Sequence, residues 1–142
     1  MVCNIKLSLQ QPDRRHAHIL QRHWVFKCIR SAIFGVNEAE FTVRIVDKDE
    51  GRHLNLSFRD KNYATNVLTF SYDMQPILVA DLVLCAEVIE LEALEQGKSI
   101  LGHYAHMLVH GTLHAQGWDH ETEPEALIME SLESEILARL NL

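Results

Sequence analysis

The sequence lacks the features that define several protein classes. Its three cysteines, Cys3, Cys28 and Cys85, are far apart and form no CxxC pair, so we expect small buried thiols rather than a disulfide framework or a cysteine-based zinc site. No apolar run approaches the ~20 residues that a membrane-spanning helix needs. Lys6 and Asp13 interrupt any apolar segment of a secretory signal. These absences predict a cytoplasmic protein.

Basic residues are scarce in the second part of the chain. Residues 1–62 contain eleven of the thirteen Lys and Arg, with seven Asp and Glu, whereas the remainder has two basic and thirteen acidic residues. The net charge of -7 disfavours a generic nucleic-acid binder. The basic first part can still offer a local phosphate-binding surface. A chance asymmetry of a solvated surface explains the same distribution, so charge alone leaves both interpretations open.

Hydrophobic periodicity predicts one domain over residues 1–142. Alternating apolar residues predict strands near residues 3–9, 41–45 and 65–70. A nearly continuous apolar run at residues 77–85 predicts a buried central strand. Helical spacing predicts helices at residues 14–34, 87–96, 99–114 and after Thr122. The polar residues 47–51 are expected to be a connection, and residues 53–59 fit either a strand or a short helix. The pattern favours an α+β (α/β three-layer) fold with a mixed central sheet packed by helices.

A few side chains carry specific expectations. His16, His18 and His23 are not four residues apart, so we expect them on the surface. Asp81 interrupts the apolar run and must either lie at a strand edge or belong to a buried polar network beside the site. The apolar residues expected on the buried face of the final helix are Ile128, Leu132, Ile136 and Leu140.

Three histidines near residue 115 have the spacing of a metal site. His110 and His114 are four residues apart and therefore share one helix face. Gly117 can end that helix in a left-handed conformation, and the chain would then bring His120 toward the same point. Three imidazoles with an open fourth position are typical of catalytic zinc, whereas structural zinc sites usually have four ligands. The sequence therefore predicts zinc bound by His110, His114 and His120.

One residue separates this motif from the metallopeptidases. The spacing is that of the long signature HExxHxxGxxH, but Gly111 stands where a peptidase has its general-base Glu. Asp119 is expected either to orient an imidazole or to serve as a polar loop residue. His103 and His106 precede the motif on the same helix. His106 could join the ligand face, but we expect both to be exposed to solvent.

The missing Glu is tolerable if the substrate is a phosphate ester. A zinc-bound water has a pKa of roughly 7 and can act without a strong protein base. Phosphoryl transfer depends mainly on positioning and charge neutralisation, for which an Arg guanidinium is suited. Composition alone does not single out which Arg would do this.

Three segments together resemble one protein family. The motif at residues 110–120 resembles the HGxLHLxGyDH signature of the YbeY family. Residues 59–70 are similar to its R-G-K-D-x-x-T-[ND]-V-L-S-F segment, and residues 81–85 match its G-D-[IL]-V-[IL] strand after the Gly. The departures are Ala80, Ser71, Ala115 and Gln116, none of which removes a predicted ligand.

The resemblance implies a bacterial endoribonuclease that acts on single-stranded RNA. It implies maturation of the 3′ end of small-subunit ribosomal RNA and ribosome quality control, with ribosomal RNA, the small subunit and its proteins as partners. By motif, His110, His114 and His120 would bind one Zn²⁺ per chain. Arg59 and His114 would be catalytic, with Arg59 binding the scissile phosphate, helped by Lys61 and Arg52.

Two alternatives remain from the residues themselves. The first is a metallopeptidase-like hydrolase, which would need a base other than Gly111. The second is a non-catalytic ribosome assembly factor whose zinc stabilises the fold. RNA and peptide cleavage assays on one metal-loaded preparation separate the ribonuclease from the peptidase, and the assembly factor predicts no cleavage by rigorously purified protein.

Overall fold

The computed structural model describes residues 3–119 and 121–140. Within this part of the chain, the elements in order are β1 (Asn4–Gln10), α1 (Arg22–Ser31), β2 (Glu38–Val46), α2 (Lys48–Arg59), β3 (Val67–Asp73), β4 (Leu78–Cys85), α3 (Ala86–Gln96), α4 (Ile100–Ala115) and α5 (Glu123–Leu140).

The described strands form one mixed sheet in the order β1-β2-β4-β3. β1, β2 and β4 are parallel, and β3 is antiparallel to β4, with Thr69 opposite Leu82 and Phe70 opposite Asp81. The apolar strand β4 is therefore central, because strands covered on both faces read as continuous hydrophobic runs. The predicted mixed sheet and α+β class are confirmed.

Side chains of β4 alternate between two apolar cores. Leu82 and Leu84 belong to the larger core, which also takes residues from α1, α4 and α5. Val83 and Cys85 belong to a smaller core, against which Leu54 of α2 packs. Helices therefore cover both faces of the sheet and produce three layers.

The first helix is shorter than the prediction over residues 14–34. α1 begins only at Arg22, and the residues before it form turns in which the Leu20 amide donates to the His16 carbonyl. His18 and His23 are exposed as expected. His16 is buried, so the expectation that it lies on the surface is wrong.

Tertiary contacts explain the burial of His16. Its Nδ1 lies 2.8 Å from the Tyr104 hydroxyl and its Nε2 lies 2.8 Å from Glu90 Oε2. A buried imidazole needs such partners, and Tyr104 and Glu90 come from helices that sequence reasoning could not place beside it.

α2 replaces both the predicted connection at residues 47–51 and the ambiguous segment at residues 53–59. It begins after Asp47, whose carboxylate accepts a hydrogen bond from the Glu50 amide at 2.8 Å. Capping by Asp47 is what turns a polar, Gly-containing run into a first helical turn. The helix alternative for residues 53–59 is confirmed, and the connection at residues 47–51 was wrong.

α5 buries most of the predicted stripe, since Ile136 and Leu140 are buried and Leu132 is half-buried. Thr122 caps its N-terminus, because the Thr122 hydroxyl accepts from the Glu125 amide at 3.3 Å and donates to Glu125 Oε1 at 2.8 Å. Ile128 is 56% exposed, so its predicted burial is wrong. The buried residues are Met129, Glu133, Ile136 and Leu140. A glutamate thus takes a core position that an apolar pattern could not predict.

Asp81 is half-buried, and its hydrogen-bond partner is the exposed Tyr72 rather than a buried polar network. The Tyr72 hydroxyl donates to Asp81 Oδ2 at 2.8 Å. Among the described residues, no helix combines the length and the apolar character needed to cross a membrane.

Candidate active site

Helix α4 places His110 and His114 side by side. Ser99 caps the helix by accepting a hydrogen bond from the Gly102 amide. Gly117 adopts a φ of 94° just beyond its end, and its amide donates to the His114 carbonyl. The predicted left-handed termination is therefore confirmed. The centroids of the two imidazole rings are 4.6 Å apart, with the rings edge to face at 78°.

These two imidazoles suit a zinc ion, and their nitrogen donors are the ligand type that zinc takes in catalytic sites. The third predicted ligand, His120, lies outside the described residues. Within residues 3–119 and 121–140, no group of three His, Cys, Asp or Glu side chains is arranged to hold a metal ion. The three-histidine site therefore stays a prediction.

Arg59 approaches the two histidines from α2, next to strand β3. It is the last residue of α2, and Asp60 ends the helix in a left-handed conformation with a φ of 58°. The Arg59 guanidinium donates to the Thr69 carbonyl of β3 at 3.1 Å. This hydrogen bond holds the guanidinium of the exposed Arg59 side chain beside β3.

One pocket of about 550 Å³ joins these residues. Its lining includes the positively charged Arg59 and Lys61, the imidazoles of His110 and His114, and the carboxylates of Asp119 and Glu121; the remaining residues are Asn55, Tyr63, Thr65, Asn66, Val67, Leu68, Thr69 and Ser71. Arg52, expected to assist, is not among them; it donates to Asn62 at 2.7 Å.

Two hydrogen bonds hold the walls of the pocket together. The Ser71 hydroxyl donates to the Ala115 carbonyl at 3.0 Å and joins β3 to the end of α4. The buried Asn55 donates from its amide to the Tyr63 carbonyl at 2.8 Å and holds the loop after α2. The pocket is thus built on anchored backbone.

One exposed aromatic ring lines the pocket, and a second belongs to the residue before Arg59. Tyr63 lines it and is 54% exposed, and Phe58, the neighbour of Arg59, is 67% exposed. Phe58 packs edge to face on Phe70 with centroids 5.3 Å apart. The sequence offered no aromatic cluster, because these residues are brought together only by the end of α2, its loop and β3.

A buried carboxylate lies behind His110. Glu133 of α5 has Oε2 2.5 Å from His110 Nδ1 and Oε1 2.9 Å from His106 Nε2. Burial raises the pKa of the Glu133 carboxyl. The hydrogen bonds and the charge of His106 and His110 outweigh the effect of burial and lower this pKa to about 2. Sequence reasoning missed Glu133, because the apolar pattern of α5 gave no signal for a buried glutamate.

His103 and His106 do not have the predicted solvent exposure. His103 is buried, with its Nε2 2.8 Å from Glu92 Oε1. His106 is half-buried between Glu133 and Lys98, whose Nζ lies 3.1 Å from His106 Nδ1. Both corrections have one cause, since α3 and α5 pack on the faces of α4 that carry these residues.

The arrangement can bind an anion beside a cation. Arg59 and Lys61 supply fixed positive charge, and the two imidazoles supply neutral nitrogen ligands. Two carboxylates, from Asp119 and Glu121, balance part of that charge and are available for proton transfer. A phosphate ester held near a metal ion fits this combination of groups.

Comparisons with known proteins agree with this chemistry. The family model described as Endoribonuclease YbeY matches residues 7–141. The chain is 57% identical over 136 residues to a protein named Endoribonuclease YbeY from Methylibium petroleiphilum, covering 96% of this chain and 90% of that protein. It is 54% identical over 144 residues to the protein of the same name from Albidiferax ferrireducens, covering 99% and 96%.

A solved structure shares the fold. The solution structure of a Thermotoga maritima protein superposes with a TM-score of 0.64 at 21% sequence identity, covering 96% of this chain and 88% of that one. At this identity the likeness shows the fold alone.

Proposed function

The chain belongs to the endoribonuclease YbeY family, and on that premise we propose that it is a zinc-dependent enzyme that cleaves single-stranded RNA. His110, His114 and His120 would bind the zinc ion, and Arg59 would bind the scissile phosphate. The observation that carries the proposal is the single pocket lined by Arg59 together with His110 and His114.

Each group in the pocket has a defined task. Arg59 pairs with non-bridging phosphate oxygens and neutralises the charge that grows as the phosphodiester is attacked. Lys61 adds a second positive charge at the same wall. When bound, zinc supplies Lewis-acid polarisation of a phosphoryl oxygen and acidifies a coordinated water. Among the described residues, the carboxylates on the pocket wall are those of Asp119 and Glu121. A carboxylate there can accept a proton during cleavage.

The preference for single strands has support in the aromatic ring at the pocket. A base can stack on the exposed Tyr63 ring only after it leaves a duplex stack. Stacking on an aromatic ring tolerates any base. We therefore propose Tyr63 as the residue that holds an unpaired base next to the phosphate bound by Arg59.

The cellular role is proposed from the family. We propose that the substrate is ribosomal RNA, that the enzyme matures the 3′ end of the small-subunit RNA and acts in ribosome quality control, and that it meets the small subunit and its proteins. Residues 63–142 are acidic, and their negative charge would complement basic proteins of the small subunit.

A cleavage assay with matched variants tests the activity. The substrate is one defined oligoribonucleotide, single-stranded or annealed to its complement, and zinc content is measured on every preparation. We expect cleavage of the single strand by the wild type and loss of roughly 10²–10³ in rate with Arg59→Ala, by analogy with removal of a charge-stabilising donor. His114→Ala should lose both zinc and cleavage.

Arg139→Ala is the control, because Arg139 is exposed on α5, pairs with Glu135 and is not among the residues that line the pocket. It should cleave like the wild type. Equal cleavage by Arg59→Ala, His114→Ala and wild type would show a contaminating nuclease and reject the proposal.

A further inference from the structure

A chain of hydrogen bonds runs from the surface to the back of His110. It begins at Lys98, passes through His106 and Glu133, and ends at His110 Nδ1, with distances of 3.1, 2.9 and 2.5 Å between successive partners. Glu133 is only 5% exposed. Its carboxylate is therefore bonded to two imidazoles from α4 rather than to water.

The chemistry of the groups at its two ends fixes the direction of each bond. The Lys98 ammonium can only donate, so His106 accepts at Nδ1 and carries its proton on Nε2. An ionised carboxylate can only accept, so Glu133 takes a hydrogen bond from His106 Nε2 and another from His110 Nδ1. A neutral His110 in this arrangement has its proton on Nδ1 and its lone pair on Nε2.

From this geometry we infer that Glu133 is a positioning residue for the zinc ligand His110. The inference rests on the zinc site proposed above. By accepting from Nδ1, Glu133 selects the tautomer in which Nε2 is the donor nitrogen, and it fixes the ring beside His114. Carboxylates behind metal-bound imidazoles act in this way. Here the carboxylate comes from α5, so the packing of α5 on α4 determines the tautomer and the ring orientation of His110.

Glu133→Gln separates positioning from simple packing. Glutamine has nearly the same shape, but its amide offers one acceptor oxygen where the carboxylate offers two. One of His106 and His110 must then lose its acceptor. Glu135→Gln is the matched control, since Glu135 lies on the same helix, is exposed and pairs with Arg139.

The first readout is zinc affinity, measured by competition with a chromophoric chelator. We expect Glu133→Gln to weaken zinc binding about 10- to 100-fold and Glu135→Gln to leave it unchanged. If the wild type binds zinc and Glu133→Gln binds it with equal affinity, the inference is overturned and the proposed function stands. No zinc binding by the wild type overturns the proposed metal site instead.

The second readout needs no metal and no variant. Long-range ¹⁵N–¹H NMR of the metal-free wild type at pH 8 reports which nitrogen of His110 carries the proton. We expect Nδ1–H for His110 and Nε2–H for His106. A His110 spectrum with the proton on Nε2, or with a fast mixture of both tautomers, rejects the inference even if Glu133→Gln fails to fold.

Discussion

Gly111 lies against Leu82 with little room for a side chain. A β-carbon on Gly111 would be 3.0 Å from Leu82 Cδ2 and 3.3 Å from the Thr69 hydroxyl oxygen. Leu82 and Thr69 are paired neighbours on β4 and β3, so α4 packs tightly on these two strands between the two histidines. This contact explains the residue that separates the motif from a peptidase signature, because a glutamate at this position would point into the sheet.

The contact predicts how Gly111 tolerates substitution. Gly111→Ala gains about 1 kcal/mol of helix propensity but meets Leu82, and overpacking costs about 1–3 kcal/mol. We expect a net loss of stability of up to about 2 kcal/mol in urea unfolding. Gly111→Glu should lose several times more or fail to fold, and it should gain no peptidase activity. A stable Gly111→Glu protein that cleaves peptides contradicts the packing argument.

Tyr63 is expected to act on substrate binding. Stacking of one base is worth about 1–3 kcal/mol, so Tyr63→Ala should raise the KM for single-stranded RNA roughly 5- to 150-fold, with a smaller change in kcat. Tyr63→Phe keeps the ring and should behave like the wild type. A loss that Tyr63→Phe shares would assign the effect to the hydroxyl instead of the ring.

Replacement of Arg59 by Lys tests the need for a planar fork. Lysine keeps the positive charge but cannot bind phosphate in a bidentate manner, so Arg59→Lys should recover only part of the cleavage lost in Arg59→Ala. The measurement is kcat/KM on the same single-stranded RNA. Full recovery with lysine would mean that charge alone is sufficient at this wall of the pocket.

The lowered pKa of Glu133 predicts that the metal-free protein becomes less stable to unfolding in acid. The pKa of the Glu133 carboxyl is lowered from the ordinary 4.5 to about 2. A lowered carboxyl pKa gives stability that is fully present above pH 4.5 and is lost as the pH falls toward 2. By linkage this amounts to roughly 3 kcal/mol. Unfolding free energies from pH 6 to pH 2 should therefore fall more steeply in the wild type than in Glu133→Gln. Parallel curves would remove Glu133 from this role.

Zinc is expected to stabilise the fold through its three ligands. Zinc at 100 times its Kd should raise the free energy of unfolding by about 2.7 kcal/mol, and a chelator should reverse the change. His114→Ala should show no such rise. Arg59→Ala is the control, because it removes a pocket residue that is not a zinc ligand and should respond to zinc like the wild type. A full zinc response in His114→Ala would place the ion elsewhere.

Local patterns were sufficient for much of the fold. The apolar run of β4, the Ser99 cap of α4 and the left-handed Gly117 were readable, because each depends on residues a few positions apart. The mixed sheet and the family also followed from such segments. The error at His16 fell where distant elements decide, because Tyr104 and Glu90 bury it. The missed start of α2 was local, since the Asp47 cap acts on a polar run that does not read as a helix.

By itself the sequence determined the helix that carries His110 and His114, the turn after it and the family to which the chain belongs, since spacing on a helix and motif order are properties of the chain. Only the tertiary structure decided that Arg59 shares a pocket with those histidines, that Tyr63 stands at its wall and that Glu133 lies behind His110. The physical reason is that a pocket wall or a buried carboxylate acquires its partners only when separate helices and strands pack together. No local pattern specifies which faces will meet.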